Sequence, residues 1–256
     1  MYFFQSVGEI LRDYWKNFAV GVGYTLAISL ISTIIGLVIG LIIGIIRTIP
    51  KSKVTPVRIF QKIVDVFLSI YIEVFRGTPM MVQSMVIYWG YAFATGGKTL
   101  NLMFAAILIV SINTGAYIAE IVRGGINGID KGQFEGAQAM GMSHFQTMRL
   151  VIIPQVLKTI LPAVSNEFVI NIKDTSVLNV IGVTELYFFM NVTVRETWKN
   201  FQVYFIVCII YLILTFTITR IIKLIEKKII GKKNFILAND MLVDSESYHK
   251  ELGGSK

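Results

Sequence analysis

Residues 133–162 read QFEGAQAMGMSHFQTMRLVIIPQVLKTILP, a polar, helix-forming run set between two strongly apolar stretches. A cytosolic loop between membrane spans is ordinarily short and rich in Lys and Arg, yet from residue 126 to 154 only Lys131 and Arg149 carry a fixed positive charge. Small residues, Gly136, Ala137, Ala139 and Gly141, cluster on its first turns. Small side chains let a second protein approach a helix backbone closely, and Gly141 can close that helix in a left-handed conformation. The run predicts a knob shaped to sit in a partner's groove.

Outward from this knob the chain is apolar. Of its 256 residues, 54% are hydrophobic and 16% charged, with a mean hydropathy of +0.66. A water-soluble domain of this length cannot bury so much apolar surface, so lipid is the expected solvent. The net charge of +8 does not indicate nucleic acid, because the basic residues stand beside apolar runs and report membrane orientation and contact with membrane lipid. Cys208, the single cysteine, lies in an apolar run, which excludes an internal disulfide or a cysteine metal site. Residues 1–18 mix Glu9, Arg12, Asp13 and Lys16 with aromatics, and no cleavable signal peptide is expected. No Gly-rich phosphate loop of the Walker type occurs, so neither ATP nor any other cofactor is expected in this chain.

Five spans account for the hydropathy, at about residues 18–46, 59–94, 100–123, 157–177 and 201–222. Gly36, Gly40 and Gly44 recur every fourth residue in the first and predict a packing seam. Arg47, Lys51, Lys53, Arg58 and Lys62 follow without an acid among them, and Arg220, Lys223, Lys227 and Lys228 follow the last span. Both basic clusters fall on one side if the N-terminus is outside and the C-terminus cytoplasmic. The resulting division is an extracytoplasmic or interfacial segment at 1–17, a membrane domain at 18–228 with the cytoplasmic loop at 126–154, and a polar, partly disordered cytoplasmic tail at 229–256.

Ionisable residues at membrane depth are costly and point to function. In the second span Glu73 and Arg76 precede Gly77-Thr78-Pro79, where a kink or break is expected. The third carries Asn113 and Glu120, seven apart on one face. The fourth is the most polar: Asn166 and Lys173 share a face, and Glu167, Asn171 and Asp174 form a neighbouring stripe. Such a helix must line a protein interface or a watery path. Glu73, Arg76, Asn113, Glu120, Asn166, Glu167, Lys173 and Asp174 are the candidates for that path. The competing reading is structural, with Glu73 and Arg76 paired to each other, Asn113 bridging helices, and Lys173 and Asp174 satisfied across the bundle.

The spacing Glu135-Gly136-Ala137, three residues, Gly141, nine residues, Val151-Ile152-Ile153-Pro154 resembles the cytoplasmic loop of binding-protein-dependent ABC permeases. That loop has the form Glu-Ala-Ala, three residues, Gly, nine residues, Ile-x-Leu-Pro; Gly136, Val151 and Ile153 are mild departures from it. Three further phrases look like the polar amino-acid branch of that family: Glu73 to Pro79 with Val82-Gln83, Gly115 to Gly125, and Asn166 to Leu178 closing with Gly182 to Leu186.

The resemblance implies an all-α membrane protein of the type I importer fold, multi-pass in a bacterial inner membrane. It also implies a second permease copy or paralogue, two ATPase subunits that bind ATP and magnesium, an extracytoplasmic substrate-binding protein and an amino-acid substrate. Glu135, Gly136, Ala137, Ala139, Gly141, His144 and Phe145 are then the ATPase-coupling residues. A secondary transporter driven by an ion gradient would explain buried charges but not the knob. An ABC permease for a metal or sugar is the nearer rival.

Overall fold

The computed structural model describes residues 2–230, in which helices are joined by short turns and linkers. Nine α-helices follow in order: α1 (Tyr2–Ile46), α2 (Thr55–Gly77), α3 (Met80–Ala94), α4 (Leu102–Asn127), α5 (Lys131–Ala139), α6 (His144–Thr147), α7 (Ile153–Asp174), α8 (Leu186–Thr197) and α9 (Asn200–Ile230). A π-helical turn over Met148–Ile152 leads into α7, and a 3-10 stretch over Thr175–Ile181 leaves it. Expectations for residues 231–256 lie outside the described residues.

Four helical stretches are long and apolar enough to cross a membrane: Tyr2–Ile46, Leu102–Asn127, His144–Ile181 and Asn200–Ile229. The expected second span is divided between α2 and α3, and neither half meets that criterion alone. The break falls at Thr78-Pro79, both in extended backbone, where proline's missing N–H ends the hydrogen-bond ladder. Residues 1–17 show the opposite deviation. From Tyr2 they belong to one unbroken α1, because no proline interrupts the run before Ile46. Its first turns are packed by Ile10 and Phe18 against Leu186, Met190 and Val203, with Lys199 Nζ 3.0 Å from Glu9 Oε2.

The core is the long contact of α1 along α4. Gly36, Gly40 and Gly44 face Thr114, Ile118 and Val122, and the backbones are close enough that side chains cannot fit between them. A Cβ on Gly40 would stand 2.5 Å from Ile118 Cγ2 and 2.9 Å from the Ala119 nitrogen. The predicted seam is therefore α1 against α4. Below it Ile118, Val122 and Ile126 of α4 pack against Met148, Ile152, Val156 and Ile160, tying the 131–152 segment to both flanking helices. The outside of α9 is the reverse of a soluble surface: Leu212, Ile213, Phe216 and Leu224 are all exposed. An apolar exterior of this kind needs lipid or another protein against it.

Candidate functional site

Three polar assemblies are built around α4. At the α2–α3 break, Pro79 leaves the Phe75 carbonyl without its helical donor. Gln83 Nε2 donates to it at 2.9 Å and also to the carbonyl and hydroxyl of Thr78. Asn113 Nδ2 donates to the same Phe75 carbonyl and, at 2.9 Å, to Gln83 Oε1. The broken backbone is thus satisfied from α3 and α4 together, as depth in a membrane demands. Asn113 is committed to this clamp. A second assembly joins α7 to the seam: Asn171 Nδ2 donates to Thr33 Oγ1 and Thr114 Oγ1 at 2.9 and 3.0 Å. Asn171 therefore turns inward, away from the stripe it was expected to share with Glu167 and Asp174.

The third assembly sits at the end of the bundle that carries α5 and α6. Arg47, just past α1, places Nη1 2.6 Å from Glu120 Oε1, Nε 3.2 Å from Asp65 Oδ1, and donates from Nη2 to Ser69 Oγ at 3.1 Å. Arg123 Nη2 approaches Glu120 Oε2 at 2.7 Å. Glu120 is therefore gripped by two guanidiniums and ties α1, α2 and α4 together. Arg47 was visible in the sequence only as an orientation charge. Its partnership crosses 73 residues of chain, and no local spacing reports that distance.

The remaining path candidates are not so held. Asn166 and Lys173 are exposed on one face of α7, and Glu167 and Asp174 are half-buried beside them. Among the described residues none of Glu73, Glu167, Lys173 or Asp174 enters an ion pair. Arg76 stacks over Tyr117 of α4, its guanidinium carbon 5.4 Å from the ring centroid, and Glu73 is exposed one turn earlier. The stripe therefore gathers two acids, a lysine and an amide on α7, and none of the four enters an ion pair among the described residues.

Beyond α7, Glu185 is fully buried and caps α8. It accepts from the Tyr187 and Phe188 amides, both at 2.9 Å, and from the Tyr211 hydroxyl at 3.1 Å. Burial pushes its carboxyl above the usual range, and these donors oppose the shift. Its capping role was missed in the sequence. The signal available was an acid directly before the helical run 186–197.

The knob is α5, a turn, and α6. Asp130 caps α5 by accepting from the Gly132 amide at 2.7 Å, and Ser143 with Gln146 forms a capping box on α6. Gly141 has φ +78°, and the Met142 amide reaches back to the Ala137 carbonyl at 3.1 Å, a Schellman closure that strongly favours glycine. Glu135, Gly136, Ala139, Gly141, His144 and Phe145 are exposed, as is Met140, whereas Ala137 faces its own chain at 5% exposure. Phe145 stays 70% exposed and Met140 79%, beyond anything this chain buries.

The model of the family described as binding-protein-dependent transport system inner membrane component matches residues 54–231. The putative glutamine transport system permease protein GlnP of Rickettsia felis is 37% identical over 164 residues, 64% of this chain and 75% of that protein. The glutamine transport system permease protein GlnP of Escherichia coli K12 is 38% identical over 159 residues, 62% of this chain and 73% of that one. Among solved structures, an amino acid ABC transporter crystallised with histidines superposes at a TM-score of 0.73 and 35% identity. That match covers 85% of this chain and 96% of the other. A chain of the MetNI methionine ABC transporter shares the fold at a TM-score of 0.68 and 22% identity, over 84% and 97%. Apolar spanning helices, the glycine-closed knob and these matches lead to one statement: the chain is a multi-pass membrane protein belonging to the family of binding-protein-dependent transport system inner membrane components.

Proposed function

We propose that the chain is one of two permease subunits of an ATP-driven importer for polar amino acids in a bacterial inner membrane. Five passages with the N-terminus outside put both basic clusters and the knob on the cytoplasmic side, with α2 and α3 together forming the second. ATP is hydrolysed by two separate ATPase subunits, and substrate arrives from an extracytoplasmic binding protein. The single observation that carries the reading is the knob: an exposed, capped, glycine-closed turn whose base is packed on both α4 and α7. A push on residues 135–145 is delivered to those two helices as a unit, because Met148 and Ile152 fill the space between them. Of these two helices, α7 is the one whose charges have no ion-pair partner among the described residues. A small zwitterion shedding water in a low dielectric needs charges and amides of both signs to replace its hydration. The related glutamine permeases and the amino-acid transporter structure support that substrate class.

Two substitutions test the docking step. A Cβ at Gly136 meets nothing within 4 Å of this chain, so Gly136→Trp leaves the subunit folded and obstructs only a partner. Gly141→Leu instead opposes the left-handed turn at φ +78°. Both variants are expected to insert normally yet lose ATP-coupled uptake in proteoliposomes by about tenfold or more, a rise of about 1.4 kcal/mol or above in the barrier to transport. Undiminished uptake by Gly136→Trp overturns docking at this segment.

A further inference from the structure

A crevice of about 810 Å³ opens between the end of α1, the linker at 47–54 and the first three turns of α2. Its position has no part in the clamp, the α7 stripe or the exposed tip of the knob. Its shape is fixed by the chain itself: the Ser52 amide donates to Gln61 Oε1 at 2.8 Å, and Gln61 Nε2 returns to the Pro50 carbonyl at 3.1 Å. The linker is stapled to α2 and the hollow is preformed.

Two chemistries line it. Arg47, Lys51, Arg58 and Lys62 are the cations, and Asp65 is the one acid. Arg47 already answers Asp65 and Glu120. Lys51, Arg58 and Lys62 have no ion-pair partner among the described residues. Apart from Gln61 the rest of the lining is apolar, including Ile49, Ile59 and Phe60, the last 67% exposed. From there an exposed apolar face continues along α2 through Ile63, Phe67 and Ile70. An occupant must therefore carry negative charge at one end and hydrocarbon at the other. A bare anion would leave the apolar lining at Ile59 and Phe60 unused, and a lipid without net charge would leave the excess of positive charge at the crevice unneutralised.

We propose that this crevice is a binding site for one anionic glycerophospholipid, its phosphate held by Lys51, Arg58 and Lys62 and its acyl chains laid along α2. Basic hollows between membrane helices suit anionic headgroups in this way, and surface attraction to anionic lipid adds up cation by cation. The site shares Arg47 with the Glu120 assembly, so bound lipid braces the end of the bundle from which α5 and α6 project.

The test is native mass spectrometry of the purified permease complex titrated with phosphatidylglycerol or phosphatidylethanolamine. The expected result is retention of phosphatidylglycerol over phosphatidylethanolamine by about tenfold or more, with each cation replaced by Gln removing about fivefold of it. The triple variant Lys51→Gln/Arg58→Gln/Lys62→Gln is expected to bind both lipids alike. Should it fail to assemble, the single Arg58→Gln and Lys62→Gln variants carry the same comparison. Phe60→Ser is expected to weaken both lipids together. Equal retention of the two lipids, or a preference that survives the charge substitutions, overturns the proposal. So does displacement of bound lipid by inorganic phosphate, which marks a site for a free anion. Absence of retained lipid overturns it too, and cross-linking of two copies through Phe60→Cys then marks the crevice as a subunit contact. The readout is retained lipid rather than transport, so its outcome is independent of the amino-acid reading.

Discussion

The polar groups of α4 and those of α7 meet opposite fates. On α4, Asn113 completes a hydrogen-bonded clamp, Thr114 is bound to Asn171, and Glu120 lies between Arg47 and Arg123. On α7, Glu167, Lys173 and Asp174 have no ion-pair partner among the described residues, and Asn171 alone is drawn inward. Both helices carry residues that lipid would not tolerate. The difference teaches that cost alone does not identify a transport residue. What separates the two sets is whether the chain has already satisfied the group.

The largest effect is expected where that contrast is anchored, on the α1 seam that holds α4. Gly40→Leu places a branched side chain where even a Cβ stands 2.9 Å from backbone nitrogen, so the helices must part. The expected cost is about 3 kcal/mol or more, read as lost folded yield in detergent, with the backbone unable to yield as a flexible side chain would. Next comes Glu120→Gln. It leaves two guanidiniums facing one neutral amide at a site where the Glu120 side chain is 20% exposed. Removing one partner of a largely buried pair strands the other, and partial exposure trims the penalty to about 2 kcal/mol. Thermal unfolding of the purified subunit checks it, and a variant as stable as wild type would put Glu120 back among the path residues.

How far the sequence could make this distinction depends on the range of each signal. Seam, break and knob are periodic or local features, and each was legible: Gly36, Gly40 and Gly44 by their fourfold spacing, Gly141 by its distance from Glu135 and Pro154; of the five expected spans, four are long apolar helices among the described residues and the second is split in two. The continuity of α1 through residue 17 was not, because charged residues such as Glu9, Arg12 and Lys16 look like a membrane boundary while remaining good helix formers. Site partners were the least legible. Asn113, Glu120 and Glu167 read alike as polar residues in apolar helices, yet the first two are held by Gln83 and Arg47, which lie 30 and 73 positions away in the chain, and Glu167 has no ion-pair partner among the described residues.

A smaller effect sharpens the comparison on α4. Asn113→Ala removes one of two donors to the Phe75 carbonyl but leaves Gln83 Nε2 in place at 2.9 Å. The main loss is the buried partner of Gln83 Oε1, about 1 kcal/mol. Gln83→Ala removes both the donor and that acceptor and is expected to cost roughly twice as much, measured by the same unfolding assay. Equal costs would mean that Asn113, and not Gln83, sustains the break.

The smallest expected change in stability is the most informative, because it comes with a change in transport. Glu167→Gln keeps the shape of the side chain and removes a charge that no ion pair holds among the described residues. Stability should stay within about 0.5 kcal/mol, the range of substitutions that break no named contact. If the carboxylate instead serves the α7 stripe facing a polar substrate, KM for uptake in reconstituted vesicles should rise about tenfold with kcat less affected, the pattern of lost uniform binding. Asp174→Asn, which neutralises the other acid of the stripe that lacks an ion-pair partner among the described residues, should act in the same direction. A large loss of folded protein on Glu167→Gln would instead show that α7 finds its partners across the bundle in a second copy, and the two helices would differ only in which chain completes them.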